Sequence, residues 1–185
     1  DPACGTGGFF LAAHDYLVKH NPNLNKDEKR QLKQGTFKGW ELVHSTARLC
    51  AMNLMLHGIG TDKELPIMSG TDSLASDPGD RFNIVMTNPP FGKKSSTTIV
   101  GEEGQVSKER DIVERDDFWA TTSNKQLNFV QHVKTLLKQN GRAGSWCLTT
   151  CFSKVGLAKP SGASSCTSAM CTRSCVCRPA SSTLK

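Results

Sequence analysis

Phe82-Asn83-Ile84-Val85-Met86-Thr87-Asn88-Pro89-Pro90-Phe91 is the stretch whose reading decides the fold. Its first five residues are nearly all apolar, as a strand in a sheet buried on both faces requires. The strand runs directly into Asn88-Pro89-Pro90-Phe91, which therefore sits at the carboxyl edge of the sheet, where α/β proteins place their ligands. Two prolines fix the backbone and remove two donors, leaving carbonyl oxygens exposed. The Asn88 side-chain oxygen beside the Pro89 carbonyl makes two acceptors, enough for both hydrogens of an exocyclic NH2. Phe91 offers a ring face on which a base can stack. A rigid loop with an incidental Asn is the plainer reading, and the Gly-rich turn upstream weighs against it.

Working outward, the pattern alternates. Residues 9–20 are rich in helix formers and stop at Asn21-Pro22. Residues 23–35 are polar and charged and read as a surface connection. Thr36–Leu42 reads as a strand ending near Glu41. Ser45–His57 reads as a helix with Ala47, Cys50, Ala51 and Leu54 on one stripe and Gly58 as its stop. Leu65–Met68 is a short strand candidate. Residues 92–126 are long, polar and without clear periodicity. Phe129, Val130, Val133, Leu136 and Leu137 mark a further helix, closed by Asn140-Gly141. Strands alternating with helices predict an α/β fold with a mainly parallel sheet.

A second motif opens the chain: Asp1-Pro2-Ala3-Cys4-Gly5-Thr6-Gly7-Gly8-Phe9. A Gly-rich turn between strand and helix lets the backbone approach a ligand closely. The spacing is not the G-x-G-x-x-G dinucleotide pattern, and a nucleotide-like ligand without phosphate suits a turn led by an acid. Asp1 could accept from that ligand's ammonium group. Glu41, at the end of the second strand, is placed to hold both ribose hydroxyls; a solvated surface charge is the alternative. Asp72, in Gly70-Thr71-Asp72-Ser73-Leu74, ends the next strand region and could accept from an adenine amino group, or serve a turn or helix cap.

The formal charge of +6 on 185 residues suggests nucleic acid until it is located. Residues 151–185 hold five basic residues and no acid, which leaves residues 1–150 at a net +1. The basic excess is thus no footprint for DNA. Cysteine divides the same way: Cys4 and Cys50 precede residue 146, and six more crowd the end. The first 145 residues read as a reduced cytoplasmic domain with no membrane span and no signal peptide.

The two motifs in this order resemble those of amino-group methyltransferases, with Asp1–Phe9 similar to the cofactor motif and Asn88–Phe91 to the N-P-P-F catalytic motif. Gly39-Trp40-Glu41-Leu42, Ala51-Met52-Asn53-Leu54-Met55-Leu56-His57-Gly58-Ile59 and Asn124-Lys125-Gln126-Leu127-Asn128-Phe129-Val130-Gln131-His132 narrow the resemblance. They are similar to the modification subunits of type I restriction systems, over roughly residues 1–145. The resemblance implies a Rossmann-like sheet with helices on both faces and transfer of a methyl group from S-adenosylmethionine to N6 of a flipped adenine in duplex DNA. It implies cofactor contacts at Asp1, Gly5, Thr6, Gly7, Gly8, Phe9, Glu41 and Asp72, and catalytic roles for Asn88, Pro89, Pro90 and Phe91, with no metal. A specificity subunit would choose the DNA sequence and a restriction subunit could join. The family's helical N-terminal region and the motif before Asp1 are missing, so the chain is expected to be a fragment, inactive alone, with its sheet truncated at both ends.

From about residue 146 the likeness stops and a Ser/Cys/Arg-rich string begins. Its cysteine spacings do not match the usual zinc pairs. Back-translated from Trp146 and read one frame over, synonymous codons spell a string similar to the family's continuation. Residues 146–185 are therefore expected to be an out-of-frame, disordered tail. Other readings of the whole are a non-catalytic cofactor- or partner-binding chain, and an N-P-P-F enzyme acting on protein glutamine or RNA. A nicotinamide oxidoreductase is the weakest.

Overall fold

The computed structural model describes residues 1–61, 64–90, 96–100, 106–110, 112–146 and 174–177. The chain divides into two compact units, Asp1–Ser73 and Leu74–Lys185.

In the first unit the Gly-rich turn leads into α1 (Gly8–His20), which ends where Asn21 bonds back to the Leu17 carbonyl through both its backbone and its side-chain amide. The stretch 23–35, expected as a connection, instead contains α2 (Lys26–Gln34). Its cause is local. Asn25 and Glu28 form a reciprocal capping box, with Glu28 N donating to Asn25 Oδ1 (2.9 Å) and Asn25 N to Glu28 Oε2 (2.8 Å). Only Leu32 of α2 is buried, so apolar periodicity gave no sign of it.

β1 (Gly39–Glu41) pairs parallel with β2 (Ile67–Ser69), and α3 (His44–Leu56) crosses between them. The buried stripe of α3 is Ala47, Cys50 and Leu54, as its spacing predicts, and Gly58 just beyond it takes a φ of 74°. The core joins Cys4, Phe10, Cys50, Leu54 and Ile59, with Leu11, Phe37 and Ile67 packed against it. Burying Leu54 and Ile59 contributes roughly 1.5–3 kcal/mol each.

In the second unit β3 (Phe82–Thr87) lies parallel to β6 (Leu137–Trp146), and β7 (Ser174–Cys177) adds antiparallel to β6. The hairpin of β4 (Ser96–Val100) and β5 (Val106–Arg110) is a separate ribbon, with Ser96 opposite Arg110. α4 (Lys125–Leu136) packs on β3 and β6. It ends four residues earlier than Asn140-Gly141 because Leu137 already has extended backbone. The β3–β6 register then jumps from Phe82↔Leu137 to Ile84↔Arg142, and Asn140, at a φ of 62°, lies inside that jump.

One expectation is corrected. β3 is not buried on both faces: Val85 and Thr87 are buried, but Ile84 is 55% exposed and Asn83 is exposed too. Each unit contributes one parallel strand pair, β1–β2 in the first and β3–β6 in the second, and the fold class is α/β at that level. Of the stretch 146–185, Trp146 and β7 are described and the rest lies outside the described residues. Among the described residues no helix is long and apolar enough to cross a membrane.

Candidate functional site

The Gly-rich turn is held by the backbone. Trp40 N donates to the Asp1 carbonyl (3.1 Å) and Cys4 N to the Trp40 carbonyl (3.0 Å), so residues 1–4 run beside β1. Gly7 N then closes the turn on the Cys4 carbonyl (2.9 Å). Gly7 caps α1 with a φ of 86°, and no side chain caps that helix. A Cβ on Gly7 would lie 2.7 Å from Cys50 Sγ, so no other residue fits without a shift in α3. Above the turn the opposite holds: nothing lies within 4 Å of a Cβ placed on Gly5 or Gly8, and Thr6 is exposed.

Glu41 is the keystone of this edge. Its Oε2 accepts from Gly5 N (3.0 Å) and its Oε1 from Val43 N (2.9 Å), tying the turn to the entrance of α3. Each oxygen keeps a further lone pair. Asp1 Oδ1 accepts from Ala3 N (3.0 Å), so the Asp1 carboxylate orders the turn from its other end. Asp72 is exposed and engaged in an interaction of its own, and its neighbour Ser73 donates from a buried hydroxyl to the Pro2 carbonyl (2.7 Å). Phe9 is half-buried at the start of α1.

Three supporting residues were missed from sequence. Asn53 Nδ2 braces the turn through the Thr6 carbonyl (3.0 Å). Cys50 packs under Gly7 and shares a hydrogen bond with Cys4; that bond and burial push the Cys4 thiol well above the ordinary cysteine range. His44 Nδ1 meets Ser69 Oγ (2.8 Å) at the carboxyl edge of β1 and β2. Only the i, i+3 spacing of Cys50 and Asn53 on α3, facing one turn, carries any sequence signal.

These residues fit S-adenosylmethionine. The uncapped first turn of α1 offers backbone donors to a carboxylate, the glycine face is open, and Glu41 retains acceptor capacity. Among the described residues no group of three or more His, Cys, Asp or Glu could hold a metal ion.

In the second unit Asn88 follows β3 directly and is exposed, Pro89 is buried and Pro90 is exposed. Pro89 is thereby an anchor, and Asn88 is presented outward. Phe91 lies outside the described residues. Thr87, the last residue of β3, is fully buried, and its hydroxyl has no hydrogen-bond partner among the described residues.

Sequence reasoning took α4 for its apolar stripe alone and missed the polar one beside it. Asn128, Gln131 and His132 are almost wholly buried. The Gln131 amide brackets residue 120: Oε1 accepts from Ala120 N (2.8 Å) and Nε2 donates to the Ala120 carbonyl (3.0 Å). Asn128 Nδ2 donates to the Thr122 carbonyl (2.9 Å). Arg115 forks onto Asp117 (2.9 and 2.7 Å), reaches the Leu74 carbonyl, and donates to His132 Nδ1 (3.2 Å). Burial, helped by the Arg115 charge, pushes the His132 pKa down to about 4. The imidazole is therefore neutral at physiological pH and accepts at Nδ1. Polar residues at 124, 128, 131 and 132, one helical face, were the available signal.

Comparison with known proteins shows the family. The N-6 DNA Methylase family matches residues 1–159. The chain is 36% identical over 154 residues to the type I restriction enzyme StySPI methylase subunit of Salmonella potsdam, covering 78% of this chain and 26% of that protein. It is 38% identical over 150 residues to the EcoKI methylase subunit of Escherichia coli (strain K12), covering 77% and 25%. The crystal structure of the EcoKI M protein superposes with a TM-score of 0.60 at 34% identity, covering 78% of this chain and 28% of that one. The chain thus spans about a quarter of the length of the curated relatives it matches.

Proposed function

This chain belongs to the N-6 DNA methylase family, and from that premise we propose that it carries the cofactor turn and the amine-binding turn of a type I modification subunit, which methylates N6 of adenine in duplex DNA. The observation that carries the reading is the Asn88-Pro89-Pro90 turn: it leaves a parallel strand with Asn88 exposed and Pro89 buried, in a chain of this family.

S-adenosylmethionine would supply an electrophilic methyl group. Gly5, Thr6, Gly7, Gly8 and Phe9 would hold it along the open turn, with Asp1 and Glu41 accepting from its polar groups and Asp72 receiving its adenine. Asn88 Oδ1 and the Pro89 carbonyl would accept the two N6 hydrogens of the target base. That pairing would draw the nitrogen lone pair out of conjugation with the ring and toward the methyl group; the N–CH3 bond would form as the sulfonium S–CH3 bond breaks, and N6 would give up one proton to solvent. Pro90 keeps the turn rigid, and Phe91 would stack on the extruded base. The residues contribute by position and electrostatics, which supply most of the rate in chemistry of this kind. The proposal extends to a Rossmann-like sheet with helices on both faces, to a cytoplasmic location, and to assembly with a specificity and a restriction subunit. It also takes residues 146–185 to be an out-of-frame stretch, which sequencing the coding DNA across residues 140–150 tests.

The functional test pairs methyl transfer to duplex DNA, in the presence of a specificity subunit, with cofactor binding by calorimetry. Asn88→Ala should slow transfer roughly 100-fold or more while leaving cofactor affinity nearly unchanged. Phe91→Ala should weaken base capture by about 1–3 kcal/mol. Glu41→Ala should weaken cofactor binding by a few kcal/mol at most. An Asn88→Ala protein that transfers at the normal rate overturns the assignment.

A further inference from the structure

We propose that Asn128 and Gln131 are positioning residues for the Asn88-Pro89-Pro90 turn, acting through the strap 112–122 rather than by touching substrate. The proposal rests on the reading of that turn as the acceptor site and adds to it the residues that aim it.

The topology brings the two ends together. β3 and β6 are parallel and α4 directly precedes β6, so α4 must run antiparallel to β3. Its N-cap, Asn124, therefore lies at the carboxyl edge, where Asn88 leaves β3. Asn124 Oδ1 accepts from Gln126 N (3.0 Å) and Leu127 N (3.3 Å), which fixes that end of the helix. The chain departs at Asn88 and returns at Val113, which bridges Thr122 two residues before the cap. Between them the β4–β5 pairing sets Ser96 opposite Arg110, so the excursion is closed on itself.

The strap is moored along α4 by side chains. Val113 and Thr122 are its upper ends. Its lower end is at Asp117, which accepts from Thr135 Oγ1 near the helix C-terminus. Gln131 clamps both peptide groups of Ala120, as a neighbouring strand would, and also donates to Asn128 Oδ1 (3.3 Å). Asn128 holds Thr122 from the same face. Buried amides bonded at both oxygen and nitrogen are costly to disturb and specify one arrangement. A core built only to be stable would use apolar residues here. What these amides add is a fixed return for the excursion that begins with Asn88, and the reacting geometry of such a turn tolerates little displacement.

The test uses the full chain. Gln131→Met keeps the volume and removes both bonds to Ala120; Asn128→Ser removes the bond to Thr122 with less change to the core. Amide exchange is followed at Ala120, whose N–H donates to Gln131, and at Asn88, with α1 and α3 as internal references, and methyl transfer is measured beside cofactor binding. Exchange should quicken about tenfold at both Ala120 and Asn88, the scale of a lost hydrogen bond, with α1 and α3 unchanged. The transfer rate at saturating DNA should fall by a similar factor, with cofactor affinity within about twofold. Quickened exchange at Ala120 with Asn88 and the transfer rate unmoved overturns the proposal, because the strap would then hold only itself. Equal loss across all segments, in both variants, overturns it as well, by reducing the amides to general stability. If the unsubstituted protein transfers no methyl group while exchange at Asn88 still follows Gln131, the enzymatic reading falls and the mooring stands.

Discussion

The glycine-rich turn of the first unit and the Asn88 turn of the second are held by opposite means. The first is fixed by what it lacks. Gly7 sits where any Cβ would strike Cys50, and the turn's own peptide groups make every bond that sets it, to the backbone of Trp40 and Cys4, the Glu41 and Asp1 carboxylates and the Asn53 amide. The second is flanked by a long excursion whose return is fastened by side-chain amides and a guanidinium on one face of α4. Backbone and glycine give a surface that a ligand can approach without displacing anything. Side-chain clamps give a segment whose position depends on a few named groups, and which can be shifted by changing them. The difference suits the roles proposed for them, one turn receiving a cofactor and the other holding one geometry for an incoming base.

The comparison breaks most readily at Gly7. Gly7→Ala combines a φ of 86° with a 2.7 Å approach to Cys50 Sγ. Left-handed strain of about 1–2 kcal/mol and overpacking of about 1–3 kcal/mol should together destabilise the first unit by roughly 2–5 kcal/mol. Denaturant unfolding measures it. Adding Cys50→Ala should recover at least about 1 kcal/mol of the loss, because the clash partner is gone. Independent, additive losses would show that the Gly7–Cys50 contact is not what fixes the turn.

Next in size is a pH effect that belongs to the second unit. His132 has a folded pKa of about 4 against an ordinary 6.5. Between those values the unfolded chain binds a proton that the folded chain refuses. Its contribution is thus complete above pH 6.5 and is lost as pH falls toward 4, by roughly 3 kcal/mol at most. A His132→Gln protein should lose that slope, read as stability against pH between 4 and 7. An unchanged slope would mean that His132 is not the buried neutral partner of Arg115.

Gly5→Ala should be the mildest change. Its φ is 56°, but open space surrounds the new Cβ, so only the left-handed cost of about 1–2 kcal/mol remains. Cofactor affinity is the sharper readout, because a methyl group on the open face would stand where the ligand approaches. A stability loss equal to that of Gly7→Ala would erase the distinction between the packed and open sides of the turn.

Much of this was legible in residues, and the misses have physical causes. The Gly58 stop, the Ala47–Cys50–Leu54 stripe and the Asn88 turn after β3 were readable because glycine conformation, helical period and proline chemistry leave local marks. α2 was passed over for want of a buried apolar stripe, although its Asn25-x-x-Glu28 capping box is a local mark of a helix start. The exposure of Ile84 was hidden because a five-residue apolar run reads alike whether one face or two are covered. Glu41 was read as a ligand acceptor, whereas its geometry first makes it the tie between Gly5 and Val43. Nothing local announces that role, since its partners are backbone amides 36 and 2 residues away. The α4 amides were overlooked because polar residues on an amphipathic helix are ordinarily taken for its solvent face.

The most direct test of the central claim is to identify the product. The protein, with a specificity subunit, is incubated with duplex DNA and S-adenosylmethionine carrying an isotopically labelled methyl group, and the DNA is digested and its nucleosides are resolved by mass spectrometry. The account predicts label on N6-methyladenine, and its loss in Asn88→Ala. Label on a ring carbon, on protein or on RNA alone, or no label with cofactor binding intact, would contradict it.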